Sequence, residues 1–223
     1  MKRLLILASL ILMIVPSVDA RRKKEKAGEI DKDTYTDKAY GFQIKMDEGW
    51  KVKINEADDP MRLVLVQKNY LIPTDYSDAP DYTKVPRIVV YADTSSLPAA
   101  TFVDSLVSPT YESDQKKEIK KEFEILWEQE LIPQGEQRVD IAGERGAIWS
   151  AKATYMKEVA TSANSLGGKR VYGAYGGAII GVKKGDTIVL FHVMSEWQYF
   201  NDDVFKDAMT FVRSLTWTEG KKK

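Results

Sequence analysis

The sequence contains no cysteine and only one histidine, His192, among its 223 residues. The lack of Cys excludes disulfide bonds, a lipidated Cys behind an export signal, and Cys–His catalysis. One His without Cys also excludes the usual zinc sites built from several such ligands. His192 itself could act as a general base or ligand. Because it lies on the same face of its predicted strand as Ile188 and Leu190, we favour a hydrogen-bonded, half-buried residue among apolar neighbours.

The sequence also lacks an excess of charge of either sign. Lys and Arg together number 33, as do Asp and Glu, so the formal net charge is zero. This balance gives no electrostatic reason to expect binding to nucleic acid or to an anionic membrane. No Gly-x-Ser-x-Gly elbow is present, and the glycines within 171–182 do not fit a dinucleotide or phosphate loop. We therefore expect no catalytic residue, no cofactor and no metal, and predict that the protein is not an enzyme.

Long hydrophobic runs are absent except near the start of the chain. Lys2 and Arg3 precede an apolar run over 4–15, and the stretch ends on the small residue Ala20. This pattern predicts a signal peptide over 1–20, cleaved after Ala20, and hence a periplasmic or secreted protein without stable membrane insertion after cleavage. The alternative is an uncleaved anchor, which the basic cluster 21–24 would favour.

Composition then divides the remaining chain into three parts. Residues 21–38 are charged and aperiodic, which predicts a flexible leader. Residues 39–217 are long enough to bury a core without disulfides, and we expect them to form one domain. Residues 218–223 are read as a basic tail.

The stretch 42–54 contains two alternating runs separated by a turn. Phe42, Ile44 and Met46 alternate with polar residues, and the same alternation resumes at Trp50. Gly49 is suited to the turn between them. We predict a hairpin that places Trp50 against the core.

The rest of the domain alternates between strand and helix patterns. The predicted strands cover 61–67, 87–92, 137–141, 147–156, 171–182 and 187–194. Helices are predicted over 98–106 and over 113–130, and the second of these is expected to end at 133–135. A last helix is predicted to begin after an N-cap at Asp202 or Asp203. Glycines in the strand 171–182 indicate close helix–sheet packing or a bulge. This order predicts an α+β fold, an antiparallel β-sheet flanked by helices.

Several of these motifs resemble the PsbP-like fold family, which includes an extrinsic oxygen-evolving subunit and many exported bacterial proteins. The similarity involves Tyr40-Gly41-Phe42-x-Ile44, Gly49-Trp50-x-Val52, the 184–186 hairpin and the closing helix that leads to Trp217. It covers about residues 39–217. The resemblance implies an α/β/α sandwich that serves as a scaffold or interaction subunit, and it supplies no catalytic residue.

The candidate binding residues lie in two segments that are rich in aromatic side chains. The long loop 69–84 carries Tyr70, Tyr76 and Tyr82, which either form a rim for a partner or pack onto their own domain. Its three aspartates could hold Ca²⁺, although they do not match a calcium-loop pattern, and we favour a solvated loop. The connection 197–200 adds Trp197 and Tyr199, more aromatic surface than a turn requires.

These observations support an exported, non-enzymatic accessory or binding module. It would present the loop 69–84 and the connection 197–200 to a protein or small ligand. The alternative is a carboxylate-based periplasmic hydrolase, since Asp and Glu pairs can perform acid–base catalysis without His or Cys.

Overall fold

A computed structural model describes residues 25–68, 70, 86–107, 131–159 and 169–218. The predicted signal peptide, the predicted helix over 113–130 and most of the loop 69–84 lie outside these ranges. None of the helices in the described ranges combines the length and apolar content needed to cross a bilayer.

A small four-stranded sheet contains part of the segment predicted to be a flexible leader. Its strands are β1 (Glu29–Asp31), β2 (Thr34–Asp37), β3 (Phe42–Lys45) and β11 (Thr216–Trp217), paired in the order β1-β2-β3-β11. Tyr35 and Asp37 in β2 are fully buried. The prediction of a flexible leader is therefore wrong for the described residues up to 38, because alternate residues of β2 reach the core.

The larger sheet has seven antiparallel strands in the order β4-β5-β6-β10-β9-β8-β7. Their bounds are β4 (Trp50–Ile54), β5 (Met61–Gln67), β6 (Arg87–Thr94), β7 (Leu131–Ile141), β8 (Glu144–Val159), β9 (Lys169–Lys184) and β10 (Thr187–Glu196). Each strand predicted for this sheet is present, and all the strands from β6 to β10 extend beyond the predicted limits. The Gly185 turn joins β9 to β10 as a hairpin, with Gly185 at φ 58°.

The two strands of the predicted hairpin over 42–54 do not pair with each other. β3 pairs with β2 and β11, whereas β4 pairs with β5 in the other sheet. The hairpin prediction is wrong, although the predicted burial of Trp50 is confirmed at 4% exposure. Its ring meets Phe211 edge to face, with centroids 5.6 Å apart. The turn after β3 thus carries the chain from one sheet to the other.

Helices cover both faces of the large sheet. Helix α1 (Ala99–Val107) contributes Phe102, Val103 and Leu106 to one buried cluster, which includes Leu190 and Met194 of β10. On the opposite face lie helix α2 (Trp197–Tyr199), a π-helical turn (Phe200–Val204) and helix α3 (Phe205–Ser214). That helical segment packs its apolar stripe into the second buried cluster. The arrangement confirms the predicted α+β fold, an antiparallel sheet between helical layers.

Two glycines of β9 allow this close packing, as the sequence predicts. A Cβ at Gly181 would lie 2.7 Å from Cγ2 of Val103 in α1. A Cβ at Gly176 would overlap the side chain of Phe200 on the opposite face. The missing side chains therefore let a helix approach the sheet on each side.

A buried ion pair fastens the segment around Ala27 to the large sheet. Nε of Arg62 lies 2.7 Å from the Asp37 carboxylate, which also accepts a hydrogen bond of 2.9 Å from the Tyr35 hydroxyl. Nη1 and Nη2 of Arg62 donate to backbone carbonyls, including that of Ala27. Burial and the carboxylate of Asp37 raise the pKa of Tyr35, which keeps its hydroxyl protonated as a donor.

Candidate functional site

The helical segment begins earlier than the sequence predicts. Trp197 is already helical, so the predicted connection 197–200 is the first turn of the segment, and the predicted N-cap at Asp202 or Asp203 is wrong. No side chain caps the start at Glu196. A π-helical turn follows, a feature that often occurs at functional sites. It brings Tyr199, Asp203 and Asp207 toward one side of the helix.

A groove of about 390 Å³ separates this helix from the end of β5. We call it the tyrosine groove. The residues that supply its polar and aromatic lining are Gln67, Tyr70, Tyr199, Asp203, Lys206 and Asp207.

Two of the predicted binding residues meet at this groove. The rings of Tyr70 and Tyr199 are 5.9 Å apart at an interplanar angle of 88°, an edge-to-face contact. Both side chains are half-buried, so the pair forms a firm wall while part of each ring faces solvent. Tyr70 is thereby held against the helix.

The carboxylates give the groove its electrostatic character. Burial raises the pKa of Asp207, and the nearby charges of Asp47 and Asp203 raise it further, against an opposing contribution from Lys206. Asp203 and Asp207 are four residues apart, and both line the groove. A site with two acids and one lysine, beside an amide and two phenol rings, can bind a ligand that donates hydrogen bonds or carries positive charge.

A second groove of about 280 Å³ adjoins the first, since Asp207 lines both. Its apolar wall is the Trp50–Phe211 pair, and Asp33 and Asp47 add carboxylates. The two grooves therefore meet at Asp207 of α3.

Trp197 does not join the two tyrosines. It is half-buried, stacks on Phe200 with centroids 6.2 Å apart, and has Nζ of Lys152 5.1 Å from its ring centroid. Its predicted role in binding remains a prediction. Tyr76 and Tyr82 lie outside the described residues.

Sequence reasoning missed the polar residues of the tyrosine groove. Tyr199, Asp203 and Asp207 are spaced by four residues, which is the spacing of one helix face. That signal was hidden because the helix was predicted to start at Asp202 or Asp203. Gln67 carries no local signal, since it is the last residue of a strand.

His192 lies among apolar neighbours, as the sequence predicts, but it is fully buried and not half-buried. It is buried at 1% exposure within the α1 face of the large sheet, and it lines neither groove. Burial, assisted by the positive charge of Arg87, lowers its pKa to about 3. His192 is therefore neutral at ordinary pH. Within the described ranges, no three His, Cys, Asp or Glu side chains are grouped to hold a metal ion.

Comparison with known proteins yields similarity in structure only. No protein-family model and no curated protein matches the sequence. Similar solved structures include cyanobacterial PsbP from Synechocystis, at 14% identity and a TM-score of 0.46, covering 82% of this chain and 91% of that one. PsbP is the family that the motifs around Gly49 and Trp50 resemble.

Two further solved structures show the same level of similarity. Mycobacterium tuberculosis LpqN, described as involved in cell envelope biogenesis, is 10% identical, with a TM-score of 0.43 and coverage of 79% of this chain and 83% of its own. The Saccharomyces cerevisiae Ran-binding protein Mog1p is 11% identical, with a TM-score of 0.45 and coverage of 85% and 96%. At these values the similarity carries no argument about a ligand or partner of this chain.

Proposed function

We propose that this chain is an exported, non-enzymatic accessory or binding module that takes a protein or small ligand in the tyrosine groove. The observation that supports it most directly is the edge-to-face contact of Tyr70 with Tyr199. Residues from the two segments nominated by the sequence meet there, beside Asp203 and Asp207. Tyrosine is suited to such a surface because its ring supplies apolar area and its hydroxyl supplies a hydrogen bond.

Pull-down from the exported fraction with residues 21–223 as bait tests the groove. Tyr199→Ala removes one wall of the tyrosine groove, so recovery of a specific partner should fall at least tenfold. Tyr199 also packs against the buried core, so the melting temperature of the variant is measured alongside. Gln198→Ala is the matched control, because Gln198 is exposed on the same helical turn and does not line the groove. Equal recovery by both variants would exclude Tyr199 from the binding surface.

The loop tyrosines require a separate experiment. Under the proposal, Tyr76 and Tyr82 extend the binding surface beyond Tyr70. The double variant Tyr76→Ala/Tyr82→Ala should then weaken partner recovery and leave the melting temperature nearly unchanged. A large drop in melting temperature would instead show that these rings pack onto their own domain.

Export is the other part of the proposal. Cleavage after Ala20 predicts that the secreted protein begins at Arg21. Amino-terminal sequencing of the protein from the extracytoplasmic fraction tests this directly. An intact Met1 in membrane-bound material would favour the anchor instead.

A carboxylate-based hydrolase is the second candidate, because the groove contains two acids and the pKa of Asp207 is raised. Such a pair can supply a general acid and a general base. Turnover of glycoside or ester substrates by the wild type, abolished in Asp207→Asn, would establish this activity. Specific binding without turnover would favour the accessory module.

A further inference from the structure

The tyrosine groove and the second groove, which we call the tryptophan groove, share a surplus of negative charge. Four aspartates line them, against two lysines among the described lining residues. The aspartates are Asp33, Asp47, Asp203 and Asp207, and the lysines are Lys45 and Lys206. Because the whole chain has a formal net charge of zero, this negative surface is a local feature of the molecule.

The aspartates of this surface are not neutralised by direct ion pairs. The two ion pairs found in the described ranges involve other acids. Asp47 is fixed in position, since its carboxylate accepts a hydrogen bond of 2.6 Å from the amide of Gly49. Besides burial, the charges of Asp47 and Asp203 raise the pKa of Asp207, so these carboxylates repel one another. A cation placed between them would relieve that repulsion.

The aromatic walls of the grooves are independent of these charges, and they narrow the kind of cation. Trp50 and Phe211 are each 4% exposed and give the tryptophan groove a fixed apolar side. Tyr70 and Tyr199 do the same for the other groove. The hydrocarbon stem of a basic side chain can pack on such a wall while its charged end reaches a carboxylate. Arg is best suited, because its planar guanidinium stacks on aromatic rings and binds carboxylates through two hydrogen bonds.

The spacing of the grooves indicates that two basic side chains bind together. Asp203 in the tyrosine groove and Phe211 in the tryptophan groove are eight residues apart in the helical segment, ~12 Å along its axis. In an extended peptide, residues four apart point to the same side and are separated by ~13 Å. Gln67 also lines the tyrosine groove, and its amide can both donate to and accept from a peptide backbone.

We propose that the two grooves bind an extended basic segment of a partner protein, with two arginines four residues apart, one in each groove. Asp207 lies where the grooves meet and contacts both arginines. The segment lies along α3, and its charge complements that of the four aspartates. This inference rests on the proposed function and specifies the partner: a protein with an exposed basic segment.

Fluorescence anisotropy with labelled synthetic peptides measures this binding to residues 21–223. The probe is Ser-Arg-Ser-Gly-Ser-Arg-Ser, in which the arginines are four residues apart. Its isomer with adjacent arginines has the same composition and charge, but its two arginines cannot reach both grooves together. We expect the probe to bind at least fivefold more tightly than the isomer. Its affinity should fall as the salt concentration rises.

Two variants locate the peptide on the protein. Asp207→Asn removes the shared carboxylate, so affinity for the probe should fall on the order of tenfold. Asp58→Asn is the matched control, because it makes the same change of charge at an exposed residue that lines neither groove. Its affinity should stay within about twofold of the wild type. The comparison of the two peptides needs only the wild type, so it remains decisive if a variant does not fold.

Three results would overturn the proposal. The first is equal affinity of the wild type for the probe and its isomer. The second is an equal loss of affinity in Asp207→Asn and Asp58→Asn. The third is binding of spermine as tight as that of the probe, because the surface would then recognise a small amine and not a peptide.

Failure of this inference can be told apart from failure of the proposed function. If the probe does not bind but recovery of a partner still depends on Tyr199, the basic segment is wrong and the groove remains a binding surface. If recovery does not depend on Tyr199 either, the proposed function fails as well.

Discussion

At the scale of single residues, the buried contact between Arg62 and Asp37 was the least accessible to sequence reasoning. Both residues are charged, and Asp37 lies in a segment whose composition indicates a solvated leader. Charged side chains are buried almost only when paired, and this pair is 25 residues apart in sequence. Nothing local predicts such a partner. His192 was predictable because its apolar strand neighbours indicate burial by themselves.

Loss of Arg62 should strongly destabilise the fold. Arg62→Leu leaves the carboxylate of Asp37 buried without its cation, and we expect the free energy of unfolding to fall by ~3–5 kcal/mol. Urea denaturation measures this change. The control is Lys38→Leu, because Lys38 pairs with Glu29 at 2.8 Å while both side chains are mostly exposed. Lys38→Leu should change the free energy of unfolding by no more than about 1 kcal/mol. Equal losses of stability in the two variants would contradict the prediction.

At the scale of elements, strands were predictable and their partners were not. Alternation identifies β3 and β4 correctly, and a short polar turn separates them, which is also the pattern of a hairpin. The actual pairing depends on distant groups. The amide of Lys45 donates a hydrogen bond of 3.0 Å to the hydroxyl of Ser214, and β2 and β11 occupy the two edges of β3, so neither edge is left for β4. The local sequence of β3 and β4 does not show that strands from other parts of the chain pair with β3.

Residues 133–135 show a different kind of misprediction. The sequence pattern predicts that 133–135 ends a helix, but Pro133 and Gly135 lie inside β7, where the register shifts between them. Strand β7 is at the edge of the large sheet, and an edge strand with a bulge tolerates a proline that cannot donate to the ladder. Edge position is a property of the sheet and is not visible in the strand itself.

The contact of Gly176 with Phe200 gives a prediction at this scale. Gly176→Ala places a Cβ against the Phe200 ring, and we expect a loss of ~1–3 kcal/mol from overpacking. Phe200→Ala alone should also destabilise the protein. In a thermal-unfolding mutant cycle, the double variant should lose less than the sum of the two. Additive losses would mean that Gly176 does not set the distance between helix and sheet.

At the scale of the whole molecule, two buried ionisable groups act on stability in opposite directions. The pKa of Glu196 is raised from 4.5 to about 7, so its contribution to stability is lost as pH rises through that window. The pKa of His192 is lowered from 6.5 to about 3, so its contribution is lost as pH falls below 6.5. Between about pH 4.5 and 6.5 the two groups therefore change the free energy of unfolding with pH in opposite directions.

Single variants should reveal how each group changes the free energy of unfolding with pH. Relative to wild type, stability of Glu196→Gln should rise with pH between 4.5 and 6.5, by up to ~1.4 kcal/mol per pH unit. Stability of His192→Gln should fall with pH over the same window. Denaturant unfolding at a series of pH values measures both. A Glu196→Gln curve parallel to wild type would contradict the assignment.

Strand β11 has a consequence for how the protein is made. It pairs with β3, and Lys45 is 169 residues from its partner Ser214. On the ribosome, the small sheet cannot close until residue 217 has been synthesised. Throughout that time one side of β3 offers open backbone groups, so we expect nascent chains to depend on a chaperone there.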